Sequence, residues 1–481
     1  MAAYLLLALV TVALAVATRR VVRHTGDRSF LLGMAVLYAW TLLGAWFFIG
    51  DAMSGYHGYR IGLHYYYLME KMFPFELDRD YLLALTGYGV FLMALLAGVL
   101  GVVRGLPARR DVRPEPWRVD HRVFFLFALA GATLSFLLVR PLILQAMAAD
   151  LSIYQYTRHT AFAGATLHSL TNELACFALL LGWAIHLTAR QGRSFTSHGQ
   201  HWAGWAYPVA VALMSVYLVL LGNRHELFMA LLLGVLLFAA NAATHAPIRL
   251  GAYALAAALP LLIAGKVRDL NWSSLAALRT DAVPVKEPFT LPLIAHVPGT
   301  YSGPVADVLK PLLSNELFAA HFSLYGILRH DVPPQWGVSF LSLAGSMLPR
   351  ALLPQRPPGA YEVYAAGAGL QPGQGYTIHQ AAAWYLNAGW AGLPLGGALL
   401  GLCWGALLRL RGRVRSGPLA WRVFAVMGAM CWTAYLPVLV RNGPEAFKGL
   451  VFEGLLMPVL VVTVAAAAGR RLPKPTSPAI T

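Results

Sequence analysis

The chain has 481 residues, of which 58% are hydrophobic and only 12% charged, and its formal net charge is +16. That charged share is about half that of an ordinary soluble domain, and the mean hydropathy is +0.59. Too little polar surface exists to coat a globule in water, so a soluble enzyme and a disordered chain are excluded, and a polytopic membrane protein remains.

A span needs about 20 mainly apolar residues, and the sequence offers eleven: 2–18, 29–49, 81–103, 122–142, 169–189, 203–222, 225–243, 250–265, 389–408, 420–440 and 450–468. The first carries no basic stretch before its apolar run, and its cluster of Arg19, Arg20 and Arg23 follows it. That order favours a retained span with its N-terminus outside. With this orientation the inner segments hold 21 basic and four acidic residues, and the outer side holds 16 basic and 17 acidic. The basic excess is therefore a topology signal, with the N-terminus out and the C-terminus in, and it implies no nucleic-acid partner. The expected organisation is an all-α polytopic membrane protein. Residues 1–265 form an N-terminal bundle, 266–388 a large outer loop, 389–468 the C-terminal spans, and 469–481 an inner tail with Pro473, Pro475 and Pro478.

Loops as long as 266–388 are usually functional. Within it, 314–330 reads as an amphipathic helix capped by Ser314 or Asn315. Residues 337–353 form an apolar stretch broken by Pro349, either re-entrant or surface-lying. The outer loop 50–80 is rich in Tyr (Tyr56, Tyr59, Tyr65, Tyr66, Tyr67), an interfacial belt or a platform for sugar rings. Cys176, Cys403 and Cys431 each sit in an apolar run without CxxC spacing, so they read as free thiols and not as a disulfide or zinc framework.

Walker A, HExxH and GxSxG motifs are absent, and the Gly373–Gly375 region is a Pro/Gly-rich loop without strand–turn–helix context. Asp78-Arg79-Asp80 has a spacing that can hold a metal, but a polar helix mouth explains it better, and no metal or cofactor is expected. More informative are single charges at outer span ends. Asn223-Arg224 lies in a tight turn. Arg441 and Lys448 flank a second turn, and Arg350 and Arg356 follow the apolar stretch of the large loop. Guanidinium groups gathered at that depth suit a diphosphate, which Arg binds in a bidentate manner. His379, after Gly375-Tyr376-Thr377-Ile378 and before an apolar helix starting around Gln380, is the acid–base candidate.

Three patterns resemble the Wzy-type oligosaccharide repeat-unit polymerases of bacterial envelopes. Gly222-Asn223-Arg224 is similar to an Arg-bearing turn between middle spans. Trp336-Gly337-Val338-Ser339-Phe340, then Leu348-Pro349-Arg350 and Pro354-Gln355-Arg356-Pro357, resembles a "YGxSY … PR … PxKP" region. Ala382 to Gly392 resembles "AExYxNFGxxG", with Ala383 standing where that pattern has Glu. O-antigen ligases share a His before a similar helix. The resemblance implies a GT-C-like architecture and glycosyl transfer on the periplasmic face of a bacterial inner membrane. The donor would be an oligosaccharide on undecaprenyl diphosphate and the acceptor a hydroxyl on a second lipid-linked unit. A flippase and a chain-length regulator would be partners. His379 and Arg224 would then be catalytic. Arg350, Arg356, Arg441, Lys448, Asn223 and Tyr376 would bind substrate, and Gly389 and Gly392 would allow close helix packing. A ligase transferring finished glycan, or a lipid-glycan flippase, is the alternative. A flippase would be expected to show two related halves with broken helices at mid-membrane, and no such halves are visible.

Overall fold

A computed structural model describes residues 1–53, 77–104, 117–153, 156, 165–189, 195–196, 202–221, 225–241, 251, 253, 319–347, 353, 355–369, 377–413 and 417–470. The helices are α1 (Ala2–Thr25), α2 (Arg28–Tyr38), α3 (Gly44–Met53), α4 (Arg79–Val103), α5 (His121–Ala148), α6 (Ala165–Ala189), α7 (Ala203–Leu221), α8 (His225–Asn241), α9 (Phe322–Arg329), α10 (Val338–Ser346), α11 (Ala360–Gly367), α12 (Gln380–Arg413), α13 (Leu419–Asn442), α14 (Ala446–Gly449) and α15 (Met457–Arg470). A π turn, Ala39–Leu43, joins α2 to α3, and a second, Leu450–Leu456, joins α14 to α15. Strands β1 (Trp117–Arg118) and β2 (Phe195–Thr196) pair in parallel over two residues each.

Among the described residues, eight helical segments are long and apolar enough to cross a membrane, and the last, Leu419–Arg470, contains the turn Gly443–Glu445. The chain is an all-α polytopic membrane protein. The expected spans at 225–243 and 250–265 fare differently. Of the first, His225–Asn241 is described, an apolar helix of 17 residues, and of the second only 251 and 253 are described. The outward face of α7 shows why lipid is the solvent. Trp205, Val209, Leu213, Val216 and Leu220 form a stripe at helical spacing, and Leu213 is 68% exposed. In water such a stripe would demand a partner; hydrocarbon chains satisfy it.

Two units make up the chain. The first comprises 1–109, 289–413 and 435–451; the second comprises 110–288, 414–434 and 452–481. In the first, α12 lies along α4 as the most extensive helix pair. Gly397, Gly401 and Gly405 repeat every four residues, so they share one face of α12. A Cβ at Gly397 or Gly401 would collide with the backbone oxygen of Phe91 or Leu95, and Gly98 of α4 meets the backbone around Ala398 in return. Small residues let two backbones touch, which supplies packing where lipid offers no hydrophobic drive. Gly389 and Gly392, the glycines expected to do this, act otherwise. Gly389 breaks α12 with φ 58 and ψ −148, a conformation open essentially to glycine alone, and Gly392 passes the Trp384 carbonyl of the same helix.

In the second unit α6 packs against α5, α7, α8 and α15. Gly469 lies against the backbone of Arg118, and the Arg422 guanidinium sits 5.7 Å over the Trp117 ring. In the first unit Arg411 pairs with Asp27, which also caps α2 through Ser29 N–H.

Candidate functional site

The first unit gathers its polar side chains at one end of α4. Asp78 caps that helix by accepting from Tyr81 N–H at 2.9 Å, and its other oxygen pairs with Arg329 of α9 at 3.1 Å. The Asp78-Arg79-Asp80 sequence is thus a helix mouth tied to α9. Among the described residues, no group of three His, Cys, Asp or Glu could hold a metal. Tyr81 and Tyr88, seven residues apart, share a face and point at the turn Ala319–His321.

His321 and His379 are both fully buried. His321 Nδ1 lies 2.7 Å from the Thr41 carbonyl, an acceptor only, so Nδ1 carries the proton and Nε2 accepts from the Tyr81 hydroxyl at 3.0 Å. His379 has the other tautomer. Its Nδ1 accepts from Ala381 N–H at 2.9 Å, which caps α12, so Nε2–H donates to Thr41 Oγ1 at 3.0 Å. One threonine in a π turn therefore bonds both rings, through its carbonyl and its hydroxyl. The His379 N–H donates to Ser323 Oγ, which donates to the Ala320 carbonyl. Tyr88 donates to the His321 carbonyl at 2.6 Å, stacks on that ring, and meets the His379 ring edge-to-face at 4.7 Å. Burial holds both rings neutral. It lowers the His321 pKa to about 4 against the opposing Thr41 bond, and burial followed by the neighbouring His321 lowers that of His379 to about 3.

Beside this cluster the 3₁₀ turn Gly443–Glu445 contacts α10, α11, α12 and α14. Asn442 bridges Ile378, so the turn is tied to the residue before His379. Gly443, at φ 64, nestles against Ile378, Ala383 and Glu445. Glu445 Oε1 accepts the Ala360 N–H at 2.6 Å, while Glu362 caps Gly359, and together they fix the start of α11. Two of the resemblance patterns meet here. Asn387 donates to Ser339 Oγ at 2.6 Å, and the Phe340 and Trp384 rings lie 4.7 Å apart. Arg441 ends α13, Lys448 lies in α14, and the Arg356 stem runs past Gly345 of α10, all three half-buried. Arg441 and Lys448 flank the turn and Arg356 lies in the link between two helices that contact it, whereas Asn223, Arg224, Arg350 and Tyr376 lie outside the described residues. Ser314, Asn315, the Tyr56–Tyr67 tyrosines and the Pro-rich tail also lie outside them. The helix expected over 314–330 is described from Ala319 to Arg329, and the apolar stretch 337–353 contains α10.

Sequence reasoning missed His321, Tyr81, Tyr88 and Thr41 as the surroundings of His379, because they come from three separate stretches of chain, all distant from it in sequence. It also missed Glu445, the last residue of the turn after Arg441, and the buried Glu173 and Glu226 of the second unit. Ser169 donates to Glu226 at 3.4 Å, and Glu173 lies beside Glu226 and Glu453. A carboxyl buried in a membrane helix is itself the available signal. Comparison with family models, with characterised proteins and with solved structures finds no match to this chain.

Proposed function

We propose that the protein is a membrane glycosyltransferase that joins oligosaccharide units carried on undecaprenyl diphosphate, with a GT-C-like architecture, its active site on the periplasmic face of a bacterial inner membrane and its N-terminus on that same side. The observation that supports this best is the packing of α10, α11, α12 and α14 around one turn at a span end, with Arg441 just before the turn, Lys448 in α14 just after it, and Arg356 in the link between α10 and α11. Three cations on such elements suit the diphosphate leaving group, whose charge grows as the glycosidic bond breaks. Arg224, Asn223, Arg350 and Tyr376 complete the assignment on the strength of the sequence patterns alone.

His379 takes a different part from the one its chemistry first suggests. A general base needs an available lone pair within reach of the substrate, and the His379 lone pair is held by Ala381 N–H in a ring with no exposure. It is a positioning residue that sets the start of α12 and ties it to Thr41. The proposal is tested in a polymerase-null strain expressing Arg356→Ala, Arg441→Ala, Arg224→Ala or Arg350→Ala at wild-type protein levels. Each arginine variant is expected to shorten or abolish the polymer ladder by tenfold or more, as loss of charge-assisted bonds to a diphosphate implies. Full-length polymer from all four variants would remove this reading.

A further inference from the structure

The start of α12 carries a concentration of buried polar atoms for which the described residues supply no partner. Thr377 Oγ1, both amide atoms of Gln380, Trp384 Nε1, Asn387 Oδ1 and Glu445 Oε2 are all shut away from solvent without a hydrogen bond. Gln380 is 1% exposed, Asn387 3% and Thr377 7%. Gln380, Trp384 and Asn387 follow a spacing of four and three, so they share one helix face. Glu445 reaches the same neighbourhood across Gly443, which touches Ile378 and Ala383. Native proteins pair almost all buried polar groups, so several unpaired ones within eleven residues of chain need a cause.

The chemistry of the set narrows what would pair with it. The Gln380 amide offers donors and an acceptor, Thr377 offers both, Trp384 only donates, and Asn387 Oδ1 and Glu445 Oε2 only accept. A phosphate, which only accepts, would confront three acceptor oxygens; an ammonium, which only donates, would waste the indole and amide N–H groups. Vicinal hydroxyls both donate and accept. We infer that the Thr377–Asn387 face and Glu445 form a binding site for the hydroxyl groups of a sugar ring, separate in chemistry from the cations assigned to the diphosphate. This rests on the glycosyltransferase reading and adds to it the residues that hold a glycan. Occupation requires the packing over these atoms to open, and Gly389, where α12 breaks, lies two residues beyond Asn387.

Such a site predicts an opposition between stability and binding. Replacing an unpaired buried polar side chain by an apolar one of similar shape removes an uncompensated cost, so the fold should gain. Gln380→Met and Thr377→Val are made in the full-length, detergent-solubilised protein, and thermal melting is measured beside binding to an array of bacterial surface glycans. The expected result is a Tm raised by about 2 °C or more together with at least tenfold weaker glycan binding. Glu445→Gln, which keeps an acceptor for Ala360 N–H, should also weaken binding and serves if either of the others misfolds. A wild-type protein that binds no glycan, or variants that bind unchanged, would overturn the site, as would a lowered Tm in both apolar variants. Ladder formation scored on the same variants separates the two ideas. Glycan binding lost in the variants, with no polymer made by the wild type, keeps the site and removes the transferase reading. A wild-type ladder with unchanged binding in the variants does the reverse.

Discussion

The two halves of α12 solve opposite problems with one sequence. Beyond Gly389, the glycines at 397, 401 and 405 let the helix lie backbone to backbone on α4, and fewer buried polar atoms go without a bond, namely Trp404 Nε1 and Arg409 Nε. Before Gly389, the helix buries Gln380, Trp384 and Asn387 with polar atoms unmatched. The difference teaches that rigidity and unmet bonding are apportioned on either side of a break. One half anchors, and the other keeps bonding capacity in reserve at the end where His379 sets the helix start.

The largest expected effect comes from breaking the anchored half. Gly401→Leu would drive a side chain into the Leu95 carbonyl, and overpacking against backbone costs about 3 kcal/mol or more. The expected outcome is loss of monodisperse protein on size exclusion in detergent. A well-behaved variant with wild-type Tm would mean that the helix seam is loose. Next in size is the break itself. Gly389→Ala places a Cβ at φ 58 and ψ −148, which costs about 1–3 kcal/mol. Melting should drop accordingly while membrane insertion survives, and an unchanged Tm would show that the two halves are continuous.

The smallest effect concerns the histidines at the helix start. Their folded pKa values, about 4 and about 3, lie below the ordinary 6.5. The unfolded chain therefore binds more protons in that interval, so their contribution is complete above the unfolded pKa and is lost as pH falls. Between pH 6.5 and 5.5 each ring should cost roughly 1 kcal/mol. His379→Asn, which retains a capping side chain, should flatten the decline in Tm measured across that interval. A slope identical to wild type would place the titration elsewhere.

Much of this was legible in the sequence, for definite reasons. Hydropathy locates the long spans because a bilayer demands about 20 apolar residues, and the start of α12 at Gln380 follows from its apolar run. The break at Gly389 was not legible, since a glycine in a helical pattern reads equally as a packing residue, and the seam glycines at 397, 401 and 405 show their spacing only once a partner helix is known. The helix α11 is short, and its start is fixed by Glu445, 85 residues away. His379 was visible as an unusual residue, but its tautomer was not, because the groups that set it, Thr41 and Ala381, include one 338 positions earlier. The interleaving of the units along the chain has the same origin in distant contacts.

The π turn Ala39–Leu43 carries a consequence for how this span can change over generations. A π turn is equivalent to one extra residue in an α-helix, and each residue of an α-helix turns the chain by about 100°. The extra residue therefore decouples the facing of Arg28–Tyr38 from that of Gly44–Met53. Substitutions that tune one end of the span leave the register of the other untouched, while loss of a single codon inside the turn would swing Thr41 away from both histidines at once.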